Sequence, residues 1–181
     1  MNRKQSRFTQ SILLIAILTL LAVQPAMAAG VPAAALWGAS AARADQDLTV
    51  ADMLKYAIQD EYLARAEYIA IMARFGVEHP FSNIKNSEDN HVSWLTEAFR
   101  TYGLPVPADE GFRYAVTPAT LKEANETGVR AEIDNIAMYD LFLAAPSVRG
   151  AEHAALRDLF ARLKQASENH LRAFRNQLAK Y

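Results

Sequence analysis

The chain has 181 residues, a formal net charge of −1 at pH 7 and no cysteine. The balanced charge argues against nucleic acid as a partner, because proteins that bind nucleic acid usually present a basic surface. The lack of cysteine excludes disulfides, thiolate-bound zinc, iron–sulfur clusters and cysteine nucleophiles. A metal site in this protein must therefore be built from carboxylate and imidazole groups.

Residues 1–28 have the pattern of a cleaved signal peptide for bacterial Sec-type export. A basic start precedes a mainly apolar run at residues 11–23, and small residues then surround a predicted cleavage site after Ala28. The alternative is a membrane anchor, but this run is shorter than the roughly 20 residues that span a bilayer. We expect a periplasmic or secreted protein with no membrane span after cleavage.

The remainder of the chain predicts one all-α domain behind a lead-in. Residues 29–47 are rich in alanine with scattered glycine, proline and serine and show no lasting period, which predicts a flexible segment. Residues 48–181 contain four long segments with apolar residues at helical spacing and no useful run of alternating residues. This pattern indicates four helices and no sheet.

The boundaries of the first two predicted helices follow from capping residues and breakers. The first begins near Thr49, a suitable N-cap, and ends at Gly76. The second begins around Pro80, which suits a first helical position, and ends before Gly103. The link between them is short, so the two helices should form an antiparallel hairpin.

The last two predicted helices form a second hairpin. The third has Thr117 as its N-cap, Pro118 at its first position and an end near Ala145, and Gly128 is a candidate kink. The fourth occupies roughly residues 151–180. The 15-residue stretch between the hairpins can run the length of a helix, so the pattern predicts a four-helix bundle with one long crossover between helices two and three.

Ionisable residues interrupt the apolar stripes near the middle of every predicted helix. They are Glu61 on the first helix, Glu88 and His91 on the second, Glu132 on the third and His170 on the fourth. Burying such groups without compensation is costly, and a pair of metal ions would supply the opposite charge. The donor set suits iron or manganese, and zinc stays open as an alternative.

Two motifs resemble the rubrerythrins of the ferritin-like superfamily. Residues 61–65, Glu-Tyr-Leu-Ala-Arg, with Tyr68 resemble the rubrerythrin first helix, and residues 88–91, Glu-Asp-Asn-His, resemble its second-helix E-x-x-H motif. The resemblance implies a ferritin-like four-helix bundle in which Glu61, Glu88 and His91 are metal ligands. It also implies a di-iron cofactor.

Residues 48–178 are also similar to a bacterial ferritin-like family that is named only as a domain of unknown function. The similarity lies in residues 83–84, 87–88, 103–104 and 169–174. The chain departs from the pattern at Ser167, where a carboxylate would complete a second E-x-x-H motif that ends in His170. Glu168 cannot replace it, because a two-residue offset turns it about 200° around the helix. The expected site therefore has three glutamates and two histidines.

The favoured function is reaction of a reduced metal pair with peroxide or dioxygen, as in a ferroxidase or peroxidase. An external electron donor would be needed, and we expect a monomer or homodimer. The first alternative is a non-catalytic protein that binds or sequesters iron in the cell envelope. A metal-free structural bundle is the second, and it is disfavoured because three carboxylates would face only two imidazoles.

Each candidate residue also has a simpler interpretation. Glu88 and His91 could form a surface ion pair, the other two glutamates could reach solvent, and His170 could be a hydrogen-bonded core histidine. Tyr68, a candidate catalytic residue, and Tyr139 could donate protons or carry electrons, or be core aromatics. Several other groups are expected to face solvent. They are Asp60, Glu67, Asp89, Asp134, Glu168, His79 and His153.

Overall fold

The computed structural model describes residues 36–181. The predicted signal peptide and the first part of the predicted lead-in lie outside these residues. The described part contains six α-helices and no strand, which confirms the all-α prediction. None of its helices is long and apolar enough to cross a membrane.

Four of the six helices are long and correspond to the four predicted segments. The helices are α1 (Ala39–Ala44), α2 (Val50–Phe75), α3 (Phe81–Thr101), α4 (Gly111–Tyr114), α5 (Leu121–Ala144) and α6 (Ala154–Leu178). Two short 3₁₀ turns, Pro146–Val148 and Ala151–His153, connect α5 to α6. The short helices α1 and α4 are additions to the predicted pattern.

The ends of α2 follow the predicted capping residues. The Thr49 hydroxyl accepts a hydrogen bond from the Asp52 amide, and the Asp52 carboxylate accepts one from the Thr49 amide. This reciprocal pair satisfies two amides that the first turn would otherwise leave unpaired. At the other end Gly76 adopts a left-handed conformation with φ of 63°. Glycine reaches this conformation without steric cost, so α2 ends there.

The start of α5 differs from the prediction. Thr120, not Thr117, is the N-cap, and its hydroxyl accepts from the Glu123 amide at 3.1 Å. The Glu123 carboxylate in turn accepts from the Ala119 amide at 2.9 Å. A threonine followed three residues later by glutamate is a stronger N-terminal signal than a proline at the next position, which explains the later start.

The other helix starts also move by a few residues. Pro80 is the N-cap of α3 and not its first helical residue, because α3 begins at Phe81. The fourth long helix begins at Ala154 and not near residue 151, because a 3₁₀ turn takes up the preceding three residues. This late start brings the middle of α6 level with the middle of α5, as the predicted ligand positions require.

The four long helices form a ring in the order α2, α3, α6, α5. At one end of the ring the Ser147 hydroxyl, just after α5, donates to the Leu48 carbonyl, just before α2. At the other end Phe174, late in α6, packs against Phe81 at the start of α3. Neighbouring helices are therefore antiparallel, and residues 102–120 run back along the bundle as the predicted crossover.

The crossover packs along the outer surface of α2. The Tyr62 hydroxyl donates to the Pro107 carbonyl at 3.4 Å, and Arg65 forms an ion pair with Asp109. Gly111, the first residue of α4, lies so close to the Tyr62 carbonyl that a Cβ atom could not be accommodated. These contacts fix the crossover against the bundle.

Residues 36–47 differ from the flexible lead-in that the composition predicts. Ala39 and Ala42 of α1 are buried in the core against α2 and α5. The Trp37 ring stacks on Tyr114 with a centroid distance of 4.3 Å, and its indole N–H donates to the Gln59 carbonyl. The small alanine side chains let α1 approach closely, and they give no apolar period by which a helix can be recognised.

The apolar core consists of two clusters. One contains Leu54, Ile58, Leu95, Phe142, Phe160 and Leu163 among others. The other contains Tyr68, Ile71, Phe81, Ile84, Ala124 and Phe174. Between the two clusters, at mid-height of the bundle, lie the ionisable residues that interrupt the predicted stripes.

Gly128 leaves α5 unbroken and instead allows a close approach to α6. A Cβ atom added there would lie 2.8 Å from the ring of Phe174, which is fully buried. We expect Gly128→Ala to destabilise the protein by about 1–3 kcal/mol, because overpacking outweighs the gain in helix propensity. Urea unfolding would measure this difference. A gain of about 1 kcal/mol, the propensity effect alone, would contradict the packing argument.

Candidate metal centre

The five predicted ligands come together between the two apolar clusters. Glu61, Glu88, His91, Glu132 and His170 are all buried, with exposed fractions between 2% and 8%. Each of the four long helices contributes at least one of them. The surface ion pair and the solvent-reaching glutamates, which the sequence left open, therefore do not describe this geometry. The role of these residues as metal ligands stays a prediction.

Glu88 lies at the centre of the group. Its Oε2 atom is 2.7 Å from Nδ1 of His91, and its Oε1 atom is 3.2 Å from Nδ1 of His170. The two imidazole rings are stacked, with centroids 5.8 Å apart and an angle of 24° between their planes. The two oxygens of one carboxylate thus face two different imidazoles, which is the arrangement of a bridging group.

The remaining glutamates complete one donor set on each side of Glu88. Nδ1 of His91 is 3.0 Å from Glu61 Oε2, and Nδ1 of His170 is 3.5 Å from Glu132 Oε1. Within each set of three residues the donor atoms lie within 4.8 Å of one another. The cluster therefore consists of two three-residue sets that share Glu88.

Two buried tyrosines donate hydrogen bonds to Glu61 and Glu132, the terminal glutamates of the cluster. The Tyr139 hydroxyl donates to Glu61 Oε1 at 2.7 Å, and the Tyr68 hydroxyl donates to Glu132 Oε1 at 2.9 Å. Burial raises the pKa of both phenols well above the ordinary value, and the neighbouring carboxylates raise it further. Both tyrosines stay protonated and act as hydrogen-bond donors. They are core aromatics that also contact the candidate ligands.

The helical spacing explains why these side chains converge. Glu88 and His91 are three residues apart on α3, so they project from the same face. Ser87, one turn before His91, places its hydroxyl 3.0 Å from Nε2 of that imidazole. The second ring nitrogen of His91 therefore has a partner, which fixes the ring orientation.

The charges of the cluster are strongly coupled. Burial alone would lower the pKa of His91 and of His170, but the adjacent glutamates outweigh it and raise both values to about 10. Burial raises the pKa of Glu61 and of Glu132, whereas hydrogen bonds from the two imidazoles hold the pKa of Glu88 below its ordinary value. At neutral pH the imidazoles are protonated, so a bound metal ion would have to displace these protons.

Ser167 occupies the place where the resembled pattern has a fourth glutamate. Its hydroxyl donates to Asn135 Oδ1 at 2.6 Å, and Asn135 Nδ2 donates to Asp60 Oδ2 at 2.6 Å. The other Asp60 oxygen accepts from the Ala39 amide at 2.8 Å. Beside the cluster there is thus a polar chain that links α6, α5, α2 and α1, and it contains no second bridging carboxylate.

Asp60 and Asn135 of this polar chain were not recognised as part of the site from the sequence, whereas Ser167 was recognised as the place of the missing carboxylate. Asp60 was expected at the surface, but it is half-buried, and burial raises its pKa to about 6. Asn135 and Ser167 are buried. For Asn135 the sequence offered a signal, because this residue lies three positions after Glu132.

The other residues that were expected to face solvent fall into two groups. Asp134 and His79 are exposed, as predicted. Glu67 is half-buried, and burial raises its pKa to about 7. His153 is half-buried, and its Nδ1 atom lies 2.9 Å from the hydroxyl of Tyr102, on which its ring stacks.

Residues 50–180 match the model of a protein family described as an uncharacterized protein domain, DUF2202. The chain belongs to the DUF2202 family. This confirms the predicted membership of a family of unknown function. No curated protein and no solved structure matches the chain. The DUF2202 region contains all five candidate ligands, whereas α1 and Trp37 precede it.

The donor chemistry of this DUF2202 protein fits a pair of divalent metal ions. Carboxylate oxygens and imidazole nitrogens are ligands that iron, manganese and zinc accept. A cavity of about 10 Å³, close to the space of one water molecule, adjoins the three carboxylates. Without a cation, three carboxylates share the interior with two imidazoles, so the group is compensated only by bound protons.

The raised histidine pKa values predict a pH-dependent stability of the metal-free protein. A group whose pKa is raised on folding stabilises the native state fully below its unfolded value, about 6.5, and this stabilisation is lost as the pH rises through the folded value. For His91 and His170 that value is about 10. We expect the free energy of unfolding to fall between pH 6.5 and 10. Urea unfolding of the metal-free protein at several pH values measures it.

A matched variant tests the assignment of this slope. Replacing His170 with glutamine removes one of the two raised groups, so the fall in stability between pH 6.5 and 10 should become shallower. Replacing the exposed His79 with glutamine should leave it unchanged. A metal-free protein whose stability is constant over this range would contradict the charge coupling described above.

The polar chain beside the cluster gives a second prediction. In Ser167→Ala the Asn135 Oδ1 atom loses its donor while it stays buried. Leaving a buried acceptor unpaired should cost about 1–3 kcal/mol of stability. Ser93→Ala, at an exposed serine on α3, is the control and should change stability by less than about 0.5 kcal/mol. If the two variants had equal free energies of unfolding in urea, the polar chain would not contribute to the stability of the fold.

Proposed function

We propose that this protein is an exported, ferritin-like di-metal carboxylate protein that binds iron and reacts with peroxide or dioxygen. The observation that supports it best is the position of Glu88, whose two oxygens face His91 and His170. A buried carboxylate with one imidazole on each side, and a further carboxylate facing the same Nδ1 atom of each imidazole, is suited to two ions and is more than a structural ion pair requires. The signal-peptide pattern of residues 1–28 supports the proposal of export.

The ferritin-like part of the proposal rests on connectivity and on ligand positions. Two antiparallel hairpins, α2 with α3 and α5 with α6, are joined by the long crossover. All candidate ligands project inward from the middle of the bundle, as in carboxylate-bridged di-metal bundles. The cluster departs from that pattern because Glu88 is its single bridging carboxylate. Ser167, which is hydrogen-bonded to Asn135, stands where the pattern has a second one.

The residues have distinct roles in this proposal. Glu61 and His91 would hold one ion, Glu132 and His170 would hold the other, and Glu88 would contact both. Iron bound there would supply the electrons that reduce peroxide or dioxygen. Tyr68, through its hydrogen bond to Glu132, orients that carboxylate.

The ligands are buried inside the bundle, which favours a small oxidant such as peroxide or dioxygen over a large substrate. With no cysteine in the chain, the electrons that restore the reduced state would come from ferrous iron itself or from a separate donor protein. Iron storage without turnover remains the alternative function, since the same donors would bind ferrous iron in either case.

The proposal is tested by iron binding and oxidation. We expect two ferrous ions per chain after anaerobic loading, and faster formation of ferric iron on addition of peroxide or air than in protein-free buffer. Metal analysis measures the stoichiometry, and ultraviolet absorption measures the oxidation. Glu88→Gln keeps the shape of the shared ligand but removes its charge. It should weaken iron binding by more than about 100-fold, the upper range for loss of a residue that only supports a ligand.

The matched control is Glu97→Gln on the same helix, because this side chain is about 70% exposed and forms only a surface pair with Arg100. It should bind and oxidise iron like the unmodified protein. Two bound ferrous ions that oxidise no faster than in buffer would favour the sequestering function. A protein that binds no iron, and that becomes more stable when Glu88 and His91 are both replaced by leucine, would be a structural bundle.

A further inference from the structure

Two cavities lie back to back between α2 and α5. A surface cleft of about 270 Å³ opens between these helices, and the cavity of about 10 Å³ lies inside the bundle against the three carboxylate ligands. Asp60, Ala64 and Ala131 line both cavities. The wall between solvent and the cluster is therefore one side chain thick at this place, and two of its three residues are alanine.

We propose that the gap between Ala64 and Ala131 is the passage through which a divalent cation enters the buried cluster. This inference rests on the proposed function, since it needs an ion that binds inside. Neither alanine offers a donor atom, so both would act by leaving space. Each lies close in sequence to a ligand, because Ala64 is three residues after Glu61 and Ala131 directly precedes Glu132.

The charge of the cleft favours a cation. The acidic side chains Asp60, Glu67 and Asp134 line it together with one basic side chain, Arg130. Arg43 pairs with Asp134, but acidic side chains still outnumber basic ones at the cleft, and an excess of negative charge raises the local concentration of cations. Asp60 stands at the junction of the two cavities, so acidic oxygens continue from the mouth to the inner wall.

The groove on the opposite side of the bundle, between α3 and α6, is less suited as an entrance. It has a volume of about 440 Å³, but none of its lining residues borders the inner cavity. Trp94 and Leu159 are among its lining residues, and the Arg162 guanidinium covers the Trp94 ring at 4.4 Å. This groove therefore shares no wall with the inner cavity, whereas the cleft between α2 and α5 shares Asp60, Ala64 and Ala131 with it.

The passage can be tested by the kinetics of Co²⁺ binding, which visible absorption reports without any turnover. A larger side chain at the gap raises the barrier in both directions but leaves the ligands in place. In Ala64→Leu and in Ala131→Val, we expect the association and dissociation rates each to fall by about tenfold or more, with an unchanged dissociation constant. Stopped-flow mixing with Co²⁺, and with a chelator for release, measures both rates.

The matched control is Ala98→Leu, which enlarges a half-buried alanine in the groove between α3 and α6. Its rates should equal those of the unmodified protein. If Ala64→Leu does not fold, as circular dichroism would show, the smaller change in Ala131→Val decides the test.

Two results would overturn the passage. The first is unchanged rates in both gap variants, and the second is slower binding in Ala98→Leu instead, which would place the entrance on the other side. If the unmodified protein gave no cobalt absorption, the proposed function would fail and the passage with it. Normal cobalt binding with unchanged rates would reject the passage alone.

Discussion

The arrangement of this bundle depends on the compensation of five buried ionisable groups at its mid-height. Charged groups in a protein interior are tolerated only when opposite charges and hydrogen bonds surround them. Glu88 meets this condition with two imidazoles, and each terminal glutamate meets it with one imidazole and one tyrosine hydroxyl. The two apolar clusters, above and below, exclude water from this layer. Every long helix must keep its register for these contacts to form together.

The layer is nearly symmetric around Glu88, and its asymmetry has structural consequences. Tyr139 holds Glu61 as Tyr68 holds Glu132, but the side of Ser167 has no carboxylate to mirror Glu88. The space is used by Asn135 and Asp60, which carry hydrogen bonds outward to the amide of Ala39. The polar chain that begins at Ser167 therefore reaches α1, the helix that precedes the DUF2202 region.

The five candidate ligands could be predicted because each interrupts an apolar stripe of a long helix, where a single ionisable residue stands out against its neighbours. The Thr49 cap and the Gly76 stop were predictable for the same local reason. The polar chain was not, because asparagine, serine and aspartate occur often on helix surfaces and become part of the site only through contacts between distant segments. Helix α1 was missed because it has only six residues, four of them alanine, and so shows no apolar period.

Protonation explains how the same cluster can exist in a folded bundle before a metal binds. The raised pKa of both imidazoles and the lowered pKa of Glu88 place opposite charges in contact at the centre of the layer. Protons thus compensate part of the buried negative charge when no metal is bound. Metal ions would replace protons at positions that the helices already hold. A preorganised set of donors lowers the conformational cost of binding an ion.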